Sequence, residues 1–251
     1  MDRILLDEKV SVGKEVFVEG PPLEALRFQG ARTGSIVTLT DAEGNDFRGR
    51  IVHLSGEKAS ILIFDLFLSS TESPLEIILL QALPEKERME LIIQKATELG
   101  VSAILPFKSD RSISLKERES KQKKAQRWQH IAIKAVQQSR RARVPLVENY
   151  SSFLQALDFC KGEGMKILLW EKKGENLKSV VRKGEMGGFK LHPAPRIYAM
   201  VGPEGGFTED EVRLAQENGF IPVKLGQRIM RTETAAIILV GILQFELGDL
   251  G

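Results

Sequence analysis

From about Leu75 onward, short apolar runs alternate with stretches of helical period, and this alternation constrains the fold more than any other feature of the chain. The runs "LEIILLQAL", "SAILPF", "KILLWE", "RIYAMV" and "IPVKL" have the length and aliphatic content of buried strands. Between them lie helical segments. One begins near Glu85, with Pro84 suited to its first turn and Gly100 to its end, and places Met89, Ile92, Ile93, Ala96 and Leu99 on one face. A long basic helix carries Trp128, Ile131, Ala135 and Val136 on its apolar side. Shorter helices fall on "SFLQALDF", "LKSVV" and "EDEVRLAQENG", and a last one on "TAAIILVGILQFEL". Strand and helix in alternation predict an α/β fold with a mainly parallel sheet covered on both faces. Ligands of such sheets sit at the carboxyl ends of the strands.

The first seventy residues have a different texture. "EVFVE", "SIVTLTD", "FRGRIVHL" and "ASILIFDLFL" read as short strands separated by turn formers, with no long helical period among them. That pattern predicts a small antiparallel barrel or sandwich. The change at "SSTESP" sets a boundary: one domain over 1–71, a second over 72–251.

Charge is uneven. The formal net charge is +2, yet Lys108 to Arg143 holds twelve Lys/Arg against three Asp/Glu, leaving about −7 for the rest. A basic stretch on an otherwise acidic chain suits a polyanionic partner, although a solvated helix face would look the same. The lone Cys160 allows no intrachain disulfide, which fits a reducing cytoplasm. The N-terminus is charged and lacks the apolar core of a signal peptide, and no apolar run is long enough for a bilayer. The scattered His53, His130 and His192, with one cysteine, argue against a metal site.

The stretch "VGPEGGFTEDE" closes one strand and opens a helix. It is neither of the familiar phosphate-binding glycine patterns. Thr208 and Glu211 form a capping box, and Phe207 with Val212 a hydrophobic staple. Glu209, Asp210 and Glu211 fill the first helical turn, where a phosphate would meet three carboxylates. The loop therefore suits a neutral or cationic ligand held through backbone groups, with Gly202, Gly205 and Gly206 allowing close approach. Downstream, "LGQRIMRTETAAIILVGILQ" repeats the design: a strand end at Leu225, then Gly226, then Arg228, Arg231, Thr232, Glu233 and Thr234 before an apolar helix that Thr232 or Thr234 is placed to cap. Two such turns after consecutive strands predict a pocket for one small molecule.

These two motifs, with "KERMELIIQKATELGV" and "QRWQHIAIKAVQQSRRARVP" upstream, resemble the ribosomal RNA small subunit methyltransferase E family of the SPOUT class. The resemblance covers most of 75–251. It implies a trefoil knot in the C-terminal domain, a PUA-like β-barrel before it, a homodimer, and methylation of N3 of one uridine in 16S rRNA of the small ribosomal subunit with S-adenosyl-L-methionine. By similarity the cofactor pocket takes Met200, Val201, Gly202, Pro203, Glu204, Gly205, Gly206, Leu225, Gly226, Ile229, Met230, Thr232, Thr234 and Ala235. Arg231 is the expected stabiliser of the developing uracil anion, and Glu233 is expected to orient it or the cofactor. Glu204 is either a base or, more simply, the residue that closes its turn. Arg27, Arg32, Lys123, Lys124, Arg127, Arg140, Arg141 and Arg143 are the candidate RNA contacts. Arg140 stands where the family has a glycine. The N-terminal "PPLEALRFQGARTG" keeps only "ALR" of the family's pattern there. Two other readings stay open: a methyltransferase of this class acting on another RNA, and a non-enzymatic RNA-binding or ribosome-assembly protein.

Overall fold

In the computed structural model, residues 4–28, 30–43, 45–66, 72–112, 121–186 and 196–251 are described. The chain divides into two compact units, Met1–Glu72 with Val136–Val144, and Ser73–Ala135 with Pro145–Gly251.

The first unit is built on β1 (Ile4–Leu5), β2 (Glu15–Val18), β3 (Ile36–Thr40), β4 (Asp46–Leu54) and β5 (Ala59–Leu66). They form one sheet in the order β1-β3-β4-β5-β2, antiparallel except for β1 against β3. Alternation in β2 buries Val16 and Val18 and exposes Glu15 and Phe17. The buried side of the sheet adds Leu39, Ile51, Ile61 and Ile63, and helix α1 (Pro21–Phe28) adds Leu23 and Leu26. That helix was not expected. Its opening Pro-Pro suits a first helical turn, and its eight residues are too few to show a period. Gly49 packs where a Cβ would lie 2.3 Å from Ile61, so the strand needs glycine there.

Glu72 fastens the later piece of chain into this unit. Its carboxylate accepts from the Arg141 guanidinium at 2.6 Å and from the backbone N–H groups of Ala142 and Arg143 at 2.8 and 2.9 Å. Just before it, Arg140 has φ of +61°, the left-handed region that favours glycine.

The second unit holds β6 (Glu76–Ala82), α2 (Lys86–Glu98), β7 (Ala103–Lys108), α3 (Lys121–Ser139), β8 (Leu146–Val147), β9 (Ser151–Ser152), α4 (Phe153–Phe159), β10 (Met165–Leu169), β11 (Glu175–Asn176), α5 (Leu177–Met186), β12 (Arg196–Val201), α6 (Glu209–Glu217), β13 (Ile221–Lys224) and α7 (Thr232–Leu247); the end of α3, from Val136, belongs to the first unit. The sheet order is β11-β13-β10-β12-β6-β7-β8, with β9 also on β7, and every described pairing is parallel. The predicted α/β architecture, a mainly parallel sheet beside a separate antiparallel one, is what the chain forms. The two-residue strands β8, β9 and β11 were not foreseen; they are too short to carry a pattern.

The centre of the sheet is dry: Ile77, Leu79, Leu80, Ile167, Ala199 and Met200 are fully buried. On one side Phe107, Phe153 and Phe207 meet with ring centroids 5.8–6.4 Å apart. On α2 the predicted face is buried at Met89, Ile92, Ile93 and Ala96, and Leu99 forms the C-cap just before Gly100 at φ +91°. Gln244 of α7, fully buried, donates to the Leu99 carbonyl at 2.9 Å and accepts from Ser73 at 2.6 Å, tying the two helices.

Candidate functional site

Strands β10, β12 and β13 run parallel side by side, so their carboxyl ends open together. A cavity of about 500 Å³ lies there. Its wall consists of three corners: residues 169–171 after β10, 201–207 after β12, and 223–232 between β13 and α7; Arg88 and Ala235 complete it. Two predicted turns, far apart in sequence, thus line one pocket.

The first corner is shaped by its glycines and by the helix behind it. A Cβ on Gly202 would sit 3.2 Å from the Phe207 ring, and Gly206 has φ of +66°. The Gly206 N–H donates to the Pro203 carbonyl at 2.9 Å and closes the turn. The capping box forms as read: Thr208 accepts from the Glu211 N–H at 3.2 Å, and Glu211 accepts from the Thr208 N–H at 2.9 Å. Glu211, 3% exposed, also accepts from the Asp110 N–H at 3.0 Å, and Arg111 donates to the Gly205 carbonyl at 3.0 Å, so the loop after β7 braces the corner from behind.

The two predicted turns are tied by a side chain. Thr232 does not cap α7; its N-cap is Arg231, which makes no side-chain cap bond. The Thr232 hydroxyl instead donates to the Gly202 carbonyl at 2.6 Å and accepts from the Gln81 amide at 3.1 Å. A buried hydroxyl needs hydrogen-bond partners, and the Gly202 carbonyl and the Gln81 amide supply them.

Arg88 makes the second tie. Its guanidinium lies 2.9 Å from Glu204, 3.3 Å from Glu85 and 3.9 Å from Glu233. Glu204 also accepts from the Glu85 N–H at 3.0 Å, so it clamps the glycine corner to the start of α2.

Of the residues expected at the pocket, Val201, Gly202, Pro203, Glu204, Gly205, Gly206, Leu225, Gly226, Ile229, Met230, Arg231, Thr232 and Ala235 line the cavity. Met200 is fully buried behind that wall, and Glu233 and Thr234 are not part of it. Arg228, named in the second turn, is on the wall as well; sequence reading missed Arg88, Trp170, Glu171 and Lys224 there, and Gln81 behind it. The corner after β10 could have been found, because a strand beside β12 and β13 must end at the same edge.

The basic residues separate into two groups. Arg27, Arg32, Arg140 and Arg143 are exposed. Arg27 also donates to the Ser55 carbonyl at 2.8 Å. Arg127 is half-buried against Glu90 at 3.1 Å. Lys124 is 6% exposed with its ammonium 5.6 Å from the Tyr150 ring centre, and Arg141 is 8% exposed against Glu72. Both are buried, so neither of these two candidate RNA contacts presents its charge to solvent. The side chain of Lys123 lies outside the described residues. Among the described residues no helix is long and apolar enough to cross a membrane.

Residues 71–244 of the chain match the model of the RNA methyltransferase domain family. Ribosomal RNA small subunit methyltransferase E of Bacillus subtilis is 30% identical over 85% of this chain and 82% of its own length. Its namesake in Buchnera aphidicola (subspecies Acyrthosiphon pisum) is 32% identical over 81% and 76%. The crystal structure of a ribosomal RNA small subunit methyltransferase E from Neisseria gonorrhoeae, bound to S-adenosyl methionine, superposes with a TM-score of 0.71 at 35% identity and covers 100% of both chains. The chain belongs to the ribosomal RNA small subunit methyltransferase E family.

Proposed function

We propose that this protein transfers a methyl group from S-adenosyl-L-methionine to N3 of a uridine in 16S rRNA of the small ribosomal subunit. The observation that carries the proposal is the single cavity walled by both glycine-bearing corners and locked by the Thr232–Gly202 hydrogen bond.

The wall suits this cofactor. At about 500 Å³ the cavity has the size of a cofactor site. Backbone groups of the two corners are the natural partners of an adenine and a ribose. Three carboxylates stand at the start of α6 and disfavour a phosphate at that helix end; on the wall itself Glu171 and Glu204 stand with Arg88, Lys224, Arg228 and Arg231, so it carries both signs. The Trp170 indole N–H is buried without a protein acceptor among the described residues and offers a donor at this wall. When bound, S-adenosyl-L-methionine supplies an electrophilic methyl group on a sulfonium.

The chain supplies orientation and charge. The exposed guanidinium of Arg231 donates to a uracil carbonyl oxygen and stabilises the anion formed as N3 loses its proton. Arg231 is held in place because the next residue, Thr232, is buried and bonded to both Gly202 and Gln81. Glu233 contributes through Arg88, which it shares with Glu204. The exposed Arg27, Arg32, Arg140 and Arg143 are the RNA contacts we retain, as phosphate ligands of the first unit. We further assign that unit a PUA-like barrel, the second a SPOUT trefoil knot, and the protein a cytoplasmic homodimer without metal. The family membership and the sheet order support these assignments.

The test is methyl transfer from labelled cofactor to small subunits purified from a strain lacking this enzyme, followed by mass mapping of the 16S rRNA. One added methyl on uracil N3 is expected. Label only in another RNA, or on another ring atom, would overturn the assignment.

A further inference from the structure

Ile229 is 85% exposed, the most exposed large apolar side chain among the described residues, and it stands on the wall of the cofactor cavity. Nothing in the packing of this unit explains it. The loop that carries it, 225–231, contains no acidic residue and places an exposed arginine on each side, Arg228 next to it and Arg231 two residues on. The loop is held at both ends. Gly226 takes φ of +137° after β13, and the Arg231 carbonyl accepts from the Ala235 N–H at 2.9 Å beside the buried Thr232.

Resting on the proposed methylation of a uridine, we propose that Ile229 is an RNA wedge: it enters the base stack where the target uracil leaves it, while Arg228 holds the adjoining phosphates. A uracil stacked in folded RNA cannot bring N3 to a cavity at the sheet edge, so the base must swing out. Proteins that open a stack insert an aliphatic side chain into the gap, because the exposed base faces are apolar and the inserted group is desolvated there. An isoleucine flanked in its loop by two guanidiniums, with no carboxylate in the loop itself, has the required chemistry: an apolar tip for the gap and positive charge for the backbone. Its β-branched side chain is stiff about χ1, so little freedom is lost on insertion. Ile229 is thus on the cavity wall and open to solvent, and its side chain serves the second substrate.

The test uses the full-length protein and small subunits lacking the methyl group. Ile229→Ser is expected to lower turnover by about tenfold to a hundredfold, the rate equivalent of one aliphatic side chain left unburied. Calorimetry should show S-adenosyl-L-methionine affinity within about twofold of wild type, about 0.4 kcal/mol. Ile229→Leu and Ile229→Met should restore turnover, and Ile229→Ala should fall between them and serine. Wild-type turnover in Ile229→Ser would overturn the wedge. So would a loss of cofactor affinity equal to the loss of turnover, which would make the side chain a cover for the cofactor. Loss of self-association in sedimentation, in step with activity, would make it a contact to a second copy instead. No methyl transfer by the wild-type protein would overturn the function itself, and the wedge with it.

Discussion

Replacing Thr232 by valine removes one oxygen and keeps the shape of the side chain, which makes it the cleanest probe of the bond between the two corners. Thr232 is 5% exposed, and its hydroxyl has two partners, the Gly202 carbonyl at 2.6 Å and the Gln81 amide at 3.1 Å. The amide keeps the Ala82 carbonyl at 2.9 Å, so its loss is partial. The Gly202 carbonyl keeps only the long contact from Gln81 at 3.4 Å, so it is nearly orphaned. A buried acceptor left in that state costs about 1–3 kcal/mol. In a chain of this length each kcal/mol moves the melting temperature by about 2–4 °C, so a fall of about 4–8 °C is expected for the middle of that range. The bond also sets the spacing of the corners that grip the cofactor. The variant must recover that spacing on binding, and about 1.4 kcal/mol of recovery weakens the affinity about tenfold. Thermal melting and titration calorimetry with S-adenosyl-L-methionine measure the two effects separately. Thr232→Ser, which keeps the hydroxyl, should behave nearly as wild type. A Thr232→Val protein that melts early yet binds the cofactor normally would refute the reasoning, because the tie would then serve the fold alone.

Arg231→Ala should spare cofactor affinity and lower turnover on the small subunit by about a hundredfold, as for removal of one anion-stabilising donor; calorimetry beside a methyl-transfer assay separates the two. Gly206→Ala places a Cβ at φ +66° and 3.0 Å from Glu171, so cofactor affinity should fall at least about fivefold in a calorimetric titration. Glu72→Ala leaves the Arg141 guanidinium, 5% exposed, without its carboxylate and should cost about 3–5 kcal/mol in a denaturant titration. Burial pushes the Cys160 thiol up to about 12 from its ordinary 9.0, so a thiol reagent at pH 8 should react only after unfolding. Because the unfolded thiol ionises first, the native state should lose stability as pH rises from about 9 towards 12.

What the sequence revealed was local or periodic. The strand–helix alternation gave the parallel sheet, and the spacing of Thr208 and Glu211 gave a cap that forms as read. Gly100 marked the end of α2 because a left-handed residue is needed there. Arg140 was legible in the opposite sense, as a side chain where the family's glycine suggested a special backbone. What stayed hidden depends on partners far along the chain. Thr232 is by a local rule one of two candidate helix caps, with Thr234, and is used instead by Gly202, 30 residues earlier. Arg141 is a candidate RNA contact in sequence, and the carboxylate that holds it lies 69 residues earlier. Arg88 lies in a stretch that carries the family resemblance, but its place at the pocket was hidden, since only the folded chain brings Glu204 and Glu233 to it.

The Glu72 anchor has a consequence for how the chain is made. The first unit is not finished when its five strands have been synthesised, because 136–144 belongs to it as well. A nascent chain must extend through α2 and all of α3 before Arg141 can meet Glu72, so the N-terminal strands wait, incomplete, while more than a third of the other unit is translated. A gene fragment cut just after Glu72 would encode a carboxylate whose buried cation never arrives.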